Sequence, residues 1–339
     1  AVYGQAVKNG AQIAVEEINA AGGINGFQIE YNFQDDEHDA EKSINPYNTL
    51  KDWGMQMLVG STTSGCSVAV SAETANDNMF QLTPSASAES VIEGDNVFQV
   101  CFTDPNQGSA SAKYISDNKL ATKVGVIYDS SDVYSSGIFA KFVEAAESCN
   151  FEIVSKQSFT KDTKTDFSVQ VQACKDAGAE LVFLPIYYSE ASLILTEANS
   201  IGYETIFFGC DGLDGVLTVE NFDTKLAEGV MLLTPFAADA QDDLTKKFVA
   251  TYAEKNNGEV PIQFAADAYD AIYAIKMAIE KSGATADMSA SELCDAMSKA
   301  MTEISLTGLT GTITWAESGE PNKEPKAVVI ENGAYKAMN

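Results

Sequence analysis

Serine and threonine residues are concentrated in two short loops that could bind an anion. Residues 60–65 read GSTTSG after the apolar run 55–59, and residues 83–87 read TPSAS after the short run 80–82. In each loop the hydroxyl residues stand just before a predicted helix, where unpaired N–H groups favour a carboxylate. Serine and threonine are also the usual helix N-caps. The pattern therefore leaves two interpretations open, a carboxylate site and ordinary capping.

Two further loops stand at the same kind of position. Residues 209–215 read GCDGLDG, and this glycine spacing is not that of a dinucleotide-binding loop. Asp211 in this loop could bind a ligand cation, or it could cap the short helix that follows. Residues 184–188 read LPIYY and end another predicted strand. Ligands of open α/β sheets bind at the carboxyl ends of the strands, so these loops form the candidate site.

The chain lacks the residues that most catalytic sites need. Its one histidine, His38, lies in the acidic run 35–39, which we interpret as a solvated loop unrelated to Ser64. A hydrolase using Ser64 or Cys66 as nucleophile would have no other histidine as its base. We therefore predict that the protein is not an enzyme and binds neither a metal nor a cofactor. The six cysteines occur singly and are predicted to be free thiols; Cys149 and Cys174 should lie on opposite faces of a sheet.

Charge excludes several partners. The 339 residues include 49 Asp and Glu against 21 basic residues, giving a formal net charge of −28. Every basic residue is a lysine, so the bidentate guanidinium clamp on carboxylates is missing. Such an acidic surface repels nucleic acid and anionic lipid. No apolar run reaches the roughly 18 residues of a membrane span.

Helical and strand patterns alternate along most of the chain. A helical stripe over 3–21 precedes a period-2 segment over 27–33 that predicts a half-buried strand. Further strands, one of them over 181–184, alternate with helices up to about residue 233. Three helical patterns cover 242–256, 264–282 and 289–302, and a hairpin is predicted at 331–333. Alternation of this kind predicts α/β architecture with two doubly wound lobes. We place the first lobe at 1–117 plus 242–322, and the second at 118–241 plus 323–339.

Taken together in order, these segments resemble type I periplasmic binding proteins of the leucine/isoleucine/valine class. The matching segments are residues 3–4, 22–26, 35–36, 60–64, 83–87, 104–108, Tyr134 with Gly137, 209–212, 268–271 and 308–311. The resemblance implies two Rossmann-like lobes joined by three crossovers, with a ligand cleft between them that closes on an amino acid. It also implies the substrate-binding subunit of an ABC importer, a monomer outside the cytoplasm that delivers its ligand to membrane permease subunits. It further implies that a signal peptide is removed and that the protein lies in the periplasm or, as a lipoprotein, on the outer face of the cell membrane.

The same resemblance assigns roles to eight residues. Ser64, Ser85 and Ser87 match the positions that hold the ligand α-carboxylate, through the hydroxyls of Ser64 and Ser87 and the backbone of Ser85. Asp211 matches the acid that pairs with the α-ammonium. Four aromatic residues match positions that line the pocket: Tyr3, Tyr134, Tyr187 and Phe264.

Two departures from the family pattern affect these expectations. The family's central first strand would lie upstream of Tyr3, so we expect the natural chain to continue upstream of residue 1. Asp211 stands where branched-chain binders have the longer Glu, which makes a different or broader amino-acid preference plausible. Other functions on the same fold are a sensor module for a receptor and a binder of amides or other polar solutes. Sugars are disfavoured because Trp53 and Trp315 lie outside the candidate loops.

Overall fold

The computed structural model describes residues 2–338, and its helices alternate with short strands. Within this range the α-helices are α1 (Val2–Ala20), α2 (Ile44–Trp53), α3 (Ser64–Asp77), α4 (Asp104–Asp117), α5 (Val133–Ala146), α6 (Ser168–Asp176), α7 (Tyr188–Ser200), α8 (Asp243–Lys255), α9 (Gln263–Ser282) and α10 (Ala290–Met301). The strands are β1 (Leu58–Val59), β2 (Gln81–Thr83), β3 (Val97–Gln99), β4 (Lys123–Asp129), β5 (Glu152–Phe159), β6 (Leu181–Leu184), β7 (Ile206–Gly209), β8 (Met231–Thr234), β9 (Leu306–Gly308), β10 (Gly311–Trp315), β11 (Pro321–Asn322), β12 (Lys326–Glu331) and β13 (Ala334–Ala337).

The chain forms two compact units, each built from two separate stretches. The first unit comprises the residues up to Thr103 together with Ala240–Glu324. The second comprises Asp104–Asp239 and the residues from Pro325 onward. The late stretches therefore complete units that begin much earlier in the sequence.

The first boundary differs from the predicted one, which lay after residue 117. Helix α4 belongs to the second unit because it packs closely against α5. Gly108 makes this approach possible, since a Cβ there would lie 2.7 Å from the Ile138 carbonyl oxygen and 2.9 Å from the Phe142 nitrogen. At the last boundary, Lys323 stays in the first unit, where its Nζ is 3.2 Å from a buried oxygen of Asp267.

The second unit is organised around a seven-stranded sheet with the order β13-β12-β8-β7-β6-β4-β5. Strands β4 to β8 are parallel. At one edge β12 pairs antiparallel with β8, and β13 pairs antiparallel with β12. Residues on both faces are buried, which explains the unbroken apolar run Leu181–Leu184. Cys174 and Cys149 pack in the clusters on the two different faces, as predicted, and all six cysteines are free thiols.

This topology brings two predicted site loops and the start of α5 to one edge of the sheet. The loops after β4, β6 and β7 all leave the carboxyl ends of neighbouring parallel strands. Tyr187 and Asp211 follow β6 and β7, and Tyr134 is the second residue of α5, directly after the β4 loop. The strand order reverses around β4, which is the position where open α/β sheets bind ligands.

The first unit contains a parallel sheet, β1-β2-β3, and an antiparallel sheet, β11-β10-β9. Its core includes Phe80, Phe98 and Trp315. Helix α1 lies directly against α9. Glycine at position 10 permits this approach, since a Cβ there would be only 2.0 Å from the Ala265 carbonyl oxygen. The serine loops follow β1 and β2, which are neighbours in the parallel sheet.

The predicted strand over 27–33 does not form, so this prediction was wrong. Only an isolated bridge joins Ile24 to Phe27, and the Asn19 side chain bonds both the N–H and the C=O of Ile29. Phe27 is 56% exposed and Tyr31 is 40% exposed, whereas a half-buried strand would bury these apolar side chains. A period-2 pattern forms a strand only when a neighbouring strand supplies the ladder hydrogen bonds, and none does so among the described residues.

The hairpin predicted at 331–333 is confirmed. Strands β12 and β13 are antiparallel, with Glu331 paired to Ala334. The two residues between them, Asn332 and Gly333, have φ of 52° and 72°. Positive φ at both positions is what a type I′ turn requires.

Candidate functional site

The two serine loops of the first unit are joined by side-chain hydrogen bonds. Thr83 Oγ1 donates to the Ser61 carbonyl oxygen at 2.7 Å, and Ser85 Oγ donates to the Thr62 carbonyl oxygen at 2.6 Å. Thr83 Oγ1 also accepts the N–H of Ala86 at 2.9 Å. The loop conformation is therefore held by hydroxyls, which explains why both loops are rich in serine and threonine.

Ser64 and Ser87 lie together at this junction. Ser64 is the first residue of α3, and its Oγ accepts the N–H groups of Ser87 and Ala88 at 3.2 Å each. Ser64 is 1% exposed and Ser87 is fully buried. Ser87 Oγ has no hydrogen-bond partner among the described residues. Because a buried polar atom is normally hydrogen-bonded, Ser87 Oγ is a donor suited to a bound oxygen atom.

Ser85 is held differently from the other two serines. Its Oγ is engaged with the Thr62 carbonyl, and its N–H makes a long, 3.3 Å contact with Thr83 Oγ1. Its side chain therefore has a structural role in joining the loops. The backbone role predicted for Ser85 remains a prediction.

Tyr3 and Phe264 form an aromatic pair in the first unit. Their rings stack with centroids 4.2 Å apart and an interplanar angle of 19°. Tyr3 is the second residue of α1 and Phe264 is the second residue of α9, so the pair arises from the close packing of these helices. Both rings are buried.

In the second unit the three predicted residues form one cluster. The Tyr134 hydroxyl donates to Asp211 Oδ1 at 2.7 Å and accepts the N–H of Gly212 at 2.9 Å. The Tyr187 ring stacks on Tyr134, with centroids 4.7 Å apart and planes 10° apart. A side chain at position 212 would collide with Tyr134, because a Cβ there would lie 2.6 Å from the Tyr134 hydroxyl. Glycine is therefore required beside Asp211.

Asp211 is a buried carboxyl group without a cationic partner in its own unit. It is 3% exposed, and none of the ion pairs found among residues 2–338 includes it. Burial raises the pKa of Asp211 to about 6, against an ordinary value of 3.8. The hydroxyl of Tyr134, the Gln107 amide and the N–H of Gly212 act in the opposite direction, while the carboxylate of Asp214 raises the pKa further. A buried carboxylate held by neutral donors is suited to binding a cation from outside the chain.

His38 lies closer to these loops than the sequence suggested. It is exposed, as predicted, but its Nδ1 is 2.9 Å from Oγ1 of Thr63, the N-cap residue of α3. The acidic loop is therefore a neighbour of the serine loops and not unrelated to them. Cys66 in the same helix is not a reactive thiol, because burial raises its pKa to about 12.

Other kinds of site find no support in residues 2–338. No group of three or more His, Cys, Asp or Glu side chains is arranged to hold a metal ion in that range. The helices of the same range include none with the length and apolarity needed to cross a bilayer.

Comparison with known proteins identifies the family. The periplasmic binding protein family matches residues 1–333. The chain belongs to this family. Among its relatives is the Leu/Ile/Val-binding protein homolog 3 of Brucella melitensis, 30% identical over 325 residues that cover 94% of this chain and 84% of the relative. Another is the leucine-, isoleucine-, valine-, threonine- and alanine-binding protein of Pseudomonas aeruginosa, 27% identical over 285 residues, 84% of this chain and 75% of that protein.

Solved structures confirm the predicted fold of this binding protein. The branched-chain amino-acid substrate-binding protein LivJ of Streptococcus pneumoniae, solved with isoleucine, is 28% identical with a TM-score of 0.88; the match covers 99% of this chain and 94% of that one. The leucine-binding protein LivK of Thermotoga maritima has the same fold, with a TM-score of 0.87 at 24% identity and coverage of 99% and 93%. The α/β type I architecture predicted from the sequence is therefore confirmed.

Two residues of the binding protein's candidate site were missed by sequence reasoning. Thr83 organises both serine loops, and Gln107 on α4 accepts the N–H of Asp211 through Oε1 at 3.1 Å. The position of Thr83 at the start of TPSAS was an available signal. Gln107 lies in the matching segment 104–108, but its contact with Asp211 had no local signal, because the two residues are 104 positions apart and only folding brings them together.

Proposed function

We propose that this protein is the extracytoplasmic substrate-binding subunit of an ABC importer, and that it binds a free amino acid of the branched-chain type or a related one. Ser64 and Ser87 bind the α-carboxylate, with the backbone of Ser85 as a further donor. Asp211 binds the α-ammonium, and Tyr3, Tyr134, Tyr187 and Phe264 surround the ligand. The protein holds the amino acid for delivery to the permease and performs no bond chemistry on it.

The observation that carries the proposal is that one binding protein contains both buried hydroxyl donors and a buried carboxylate. The first unit offers buried neutral hydroxyls beside the N-terminus of α3, which suit a carboxylate in a chain without arginine. The second offers a buried carboxylate beside two stacked tyrosines, which suits an ammonium group. A zwitterion needs both. The Leu/Ile/Val-binding relatives and the isoleucine-bound LivJ support the same class of ligand.

The direct test is thermal unfolding of the protein, refolded to remove bound ligand, against the common amino acids, their amides and several sugars. A ligand at 100 times its Kd adds about 2.7 kcal/mol to the free energy of unfolding. We expect branched-chain amino acids or close analogues to raise the melting temperature. Stabilisation by amides or sugars, with no response to any amino acid, would contradict the proposal.

Ser64→Ala should weaken amino-acid binding by about ten- to a hundredfold, because a hydrogen bond to a charged group contributes about 1.5–3 kcal/mol. The measurement is isothermal titration calorimetry with the amino acid that gives the largest thermal shift. Ser71→Ala is the matched control, since Ser71 lies on the same helix and its Oγ bonds only the Val68 carbonyl in the described structure. Equal affinities of the two variants would show that Ser64 does not bind the ligand.

Binding should weaken as the pH falls below about 6. Burial raises the pKa of Asp211 to about 6, and only the ionised carboxylate attracts an ammonium group. Below this pKa, affinity should fall about tenfold per pH unit. Calorimetry between pH 8 and pH 5 measures the effect, and an affinity independent of pH over this range would show that Asp211 does not bind the ammonium.

The free energy of unfolding of the ligand-free protein should rise as the pH falls, whereas its affinity for the amino acid decreases. Because the pKa of Asp211 is raised on folding from 3.8 to about 6, the folded protein binds the proton more tightly than the unfolded chain. Asp211 therefore adds stability when protonated, and this contribution is lost as the pH rises through about 6. Asp132 acts in the same direction, since burial raises its pKa to about 6 as well.

A further inference from the structure

Gln107 is a fully buried amide directly beside Asp211. It lies on α4, with no exposed surface, and its Oε1 accepts the Asp211 N–H at 3.1 Å. Both residues belong to the second unit. The contact joins a helix to the loop after β7, across 104 residues of sequence.

The local structure explains why Asp211 needs this acceptor. Asp211 begins a 3-10 helix of three residues, Asp211–Leu213, and the side chain of the preceding Cys210 makes no capping hydrogen bond. The N–H groups at the start of such a turn have no partner within it. Gln107 supplies the acceptor for Asp211, and the Tyr134 hydroxyl supplies it for Gly212.

The other end of the Gln107 amide is a buried donor. Gln107 Nε2 is buried and has no hydrogen-bond partner among the described residues. Because Oε1 and Nε2 belong to one planar amide, the bond to the Asp211 N–H also holds Nε2 near this residue. The Gln107 amide is one of the groups that lower the pKa of the Asp211 carboxyl against the effect of burial.

We propose that Gln107 is a positioning residue for ammonium binding: Oε1 fixes the main chain of Asp211, and Nε2, a buried donor, favours the ionised carboxylate that faces the ligand. This inference rests on the proposed binding of an amino acid. The other titratable groups around Asp211 are Tyr134, Asp214 and the Cys210 thiol, which itself is influenced by Asp104. Of these, Tyr134 also holds the loop from a separate helix, through the Asp211 carboxylate and the Gly212 N–H.

The test is the pH dependence of isoleucine binding in two variants, measured by calorimetry between pH 5 and pH 8. Gln107→Leu removes both ends of the amide, and Gln107→Glu keeps an acceptor for the N–H but replaces the donor with a second carboxylate. We expect both to weaken binding about tenfold at pH 7 and to raise the pH midpoint by about half a unit or more. The parent protein and all variants in this comparison also carry Asp132→Asn. This substitution keeps an acceptor at the cap of α5 and removes a second carboxyl group whose pKa is raised to about 6.

Gln172→Leu is the matched control, because Gln172 is an exposed glutamine of the same unit that bonds Asp176 one helical turn away. If the Gln107 variants bind isoleucine with an unchanged midpoint, the amide is only part of the packing and the inference is overturned. If Gln107→Leu does not fold, Gln107→Glu decides alone. A parent protein that binds no amino acid would instead refute the proposed function itself.

Discussion

Replacing Asp211 with asparagine should weaken amino-acid binding by about 10²- to 10³-fold, corresponding to about 3–4 kcal/mol, because one partner of a buried charge pair is lost. Asparagine keeps an oxygen that can accept the Tyr134 hydroxyl now bonded to Oδ1, so the loop after β7 should keep its conformation. The change therefore removes charge with little change of shape. Isothermal titration calorimetry at pH 7 to 8 measures the affinity.

The same variant should fold at least as stably as the parent protein without ligand. Keeping Asp211 ionised above pH 6 costs about 3 kcal/mol, estimated from the rise of its pKa from 3.8 to about 6. Urea unfolding at pH 7 compares the two proteins. Asp162→Asn is the control, since Asp162 is exposed in the same unit. Lost binding together with lost stability would indicate a misfolded variant, and unchanged binding would exclude Asp211 from the site.

Replacing Asp270 with alanine should reduce the free energy of unfolding by about 3–5 kcal/mol, the usual cost of removing one partner from a buried charged network. Asp270 is fully buried on α9 and accepts the N–H groups of Leu309 and Thr310 and the Thr310 hydroxyl, at 2.6–2.9 Å. These three bonds hold the turn between β9 and β10. Alanine leaves all three donors buried without an acceptor.

Lys323 adds to this effect. Burial raises the pKa of Asp270, while the charge of Lys323 lowers it, so the two groups interact in the interior. Lys323 also pairs with Asp267 at 3.2 Å. Removing Asp270 leaves this lysine with less negative charge around it. Asp52→Ala, at an exposed aspartate of the same unit, is the control in urea unfolding. A loss below 1 kcal/mol for Asp270→Ala would show that the network contributes little.

Local patterns were sufficient for most of the elements. The strand at 181–184 and the hairpin at 331–333 are found where the sequence predicts them, because unbroken apolar runs and an Asn-Gly turn depend on neighbouring residues only. Helix α1 was predicted at 3–21 and spans Val2–Ala20. The segment over 27–33 failed because a strand also needs a partner, and local alternation carries no information about one.

The sequence by itself determined the types of chemistry available: hydroxyl-rich loops after two strands, two aspartates after a third, no arginine and one histidine. Tertiary structure decided which of these groups meet. Packing at Gly108 assigns α4 to the second unit, and this packing brings Gln107 to the N–H of Asp211. Burial, which no single segment encodes, raises the pKa of Asp211 to about 6. Contacts between distant residues and their shared exclusion of water arise only from the folded chain, and they turn ordinary capping residues into a candidate binding site.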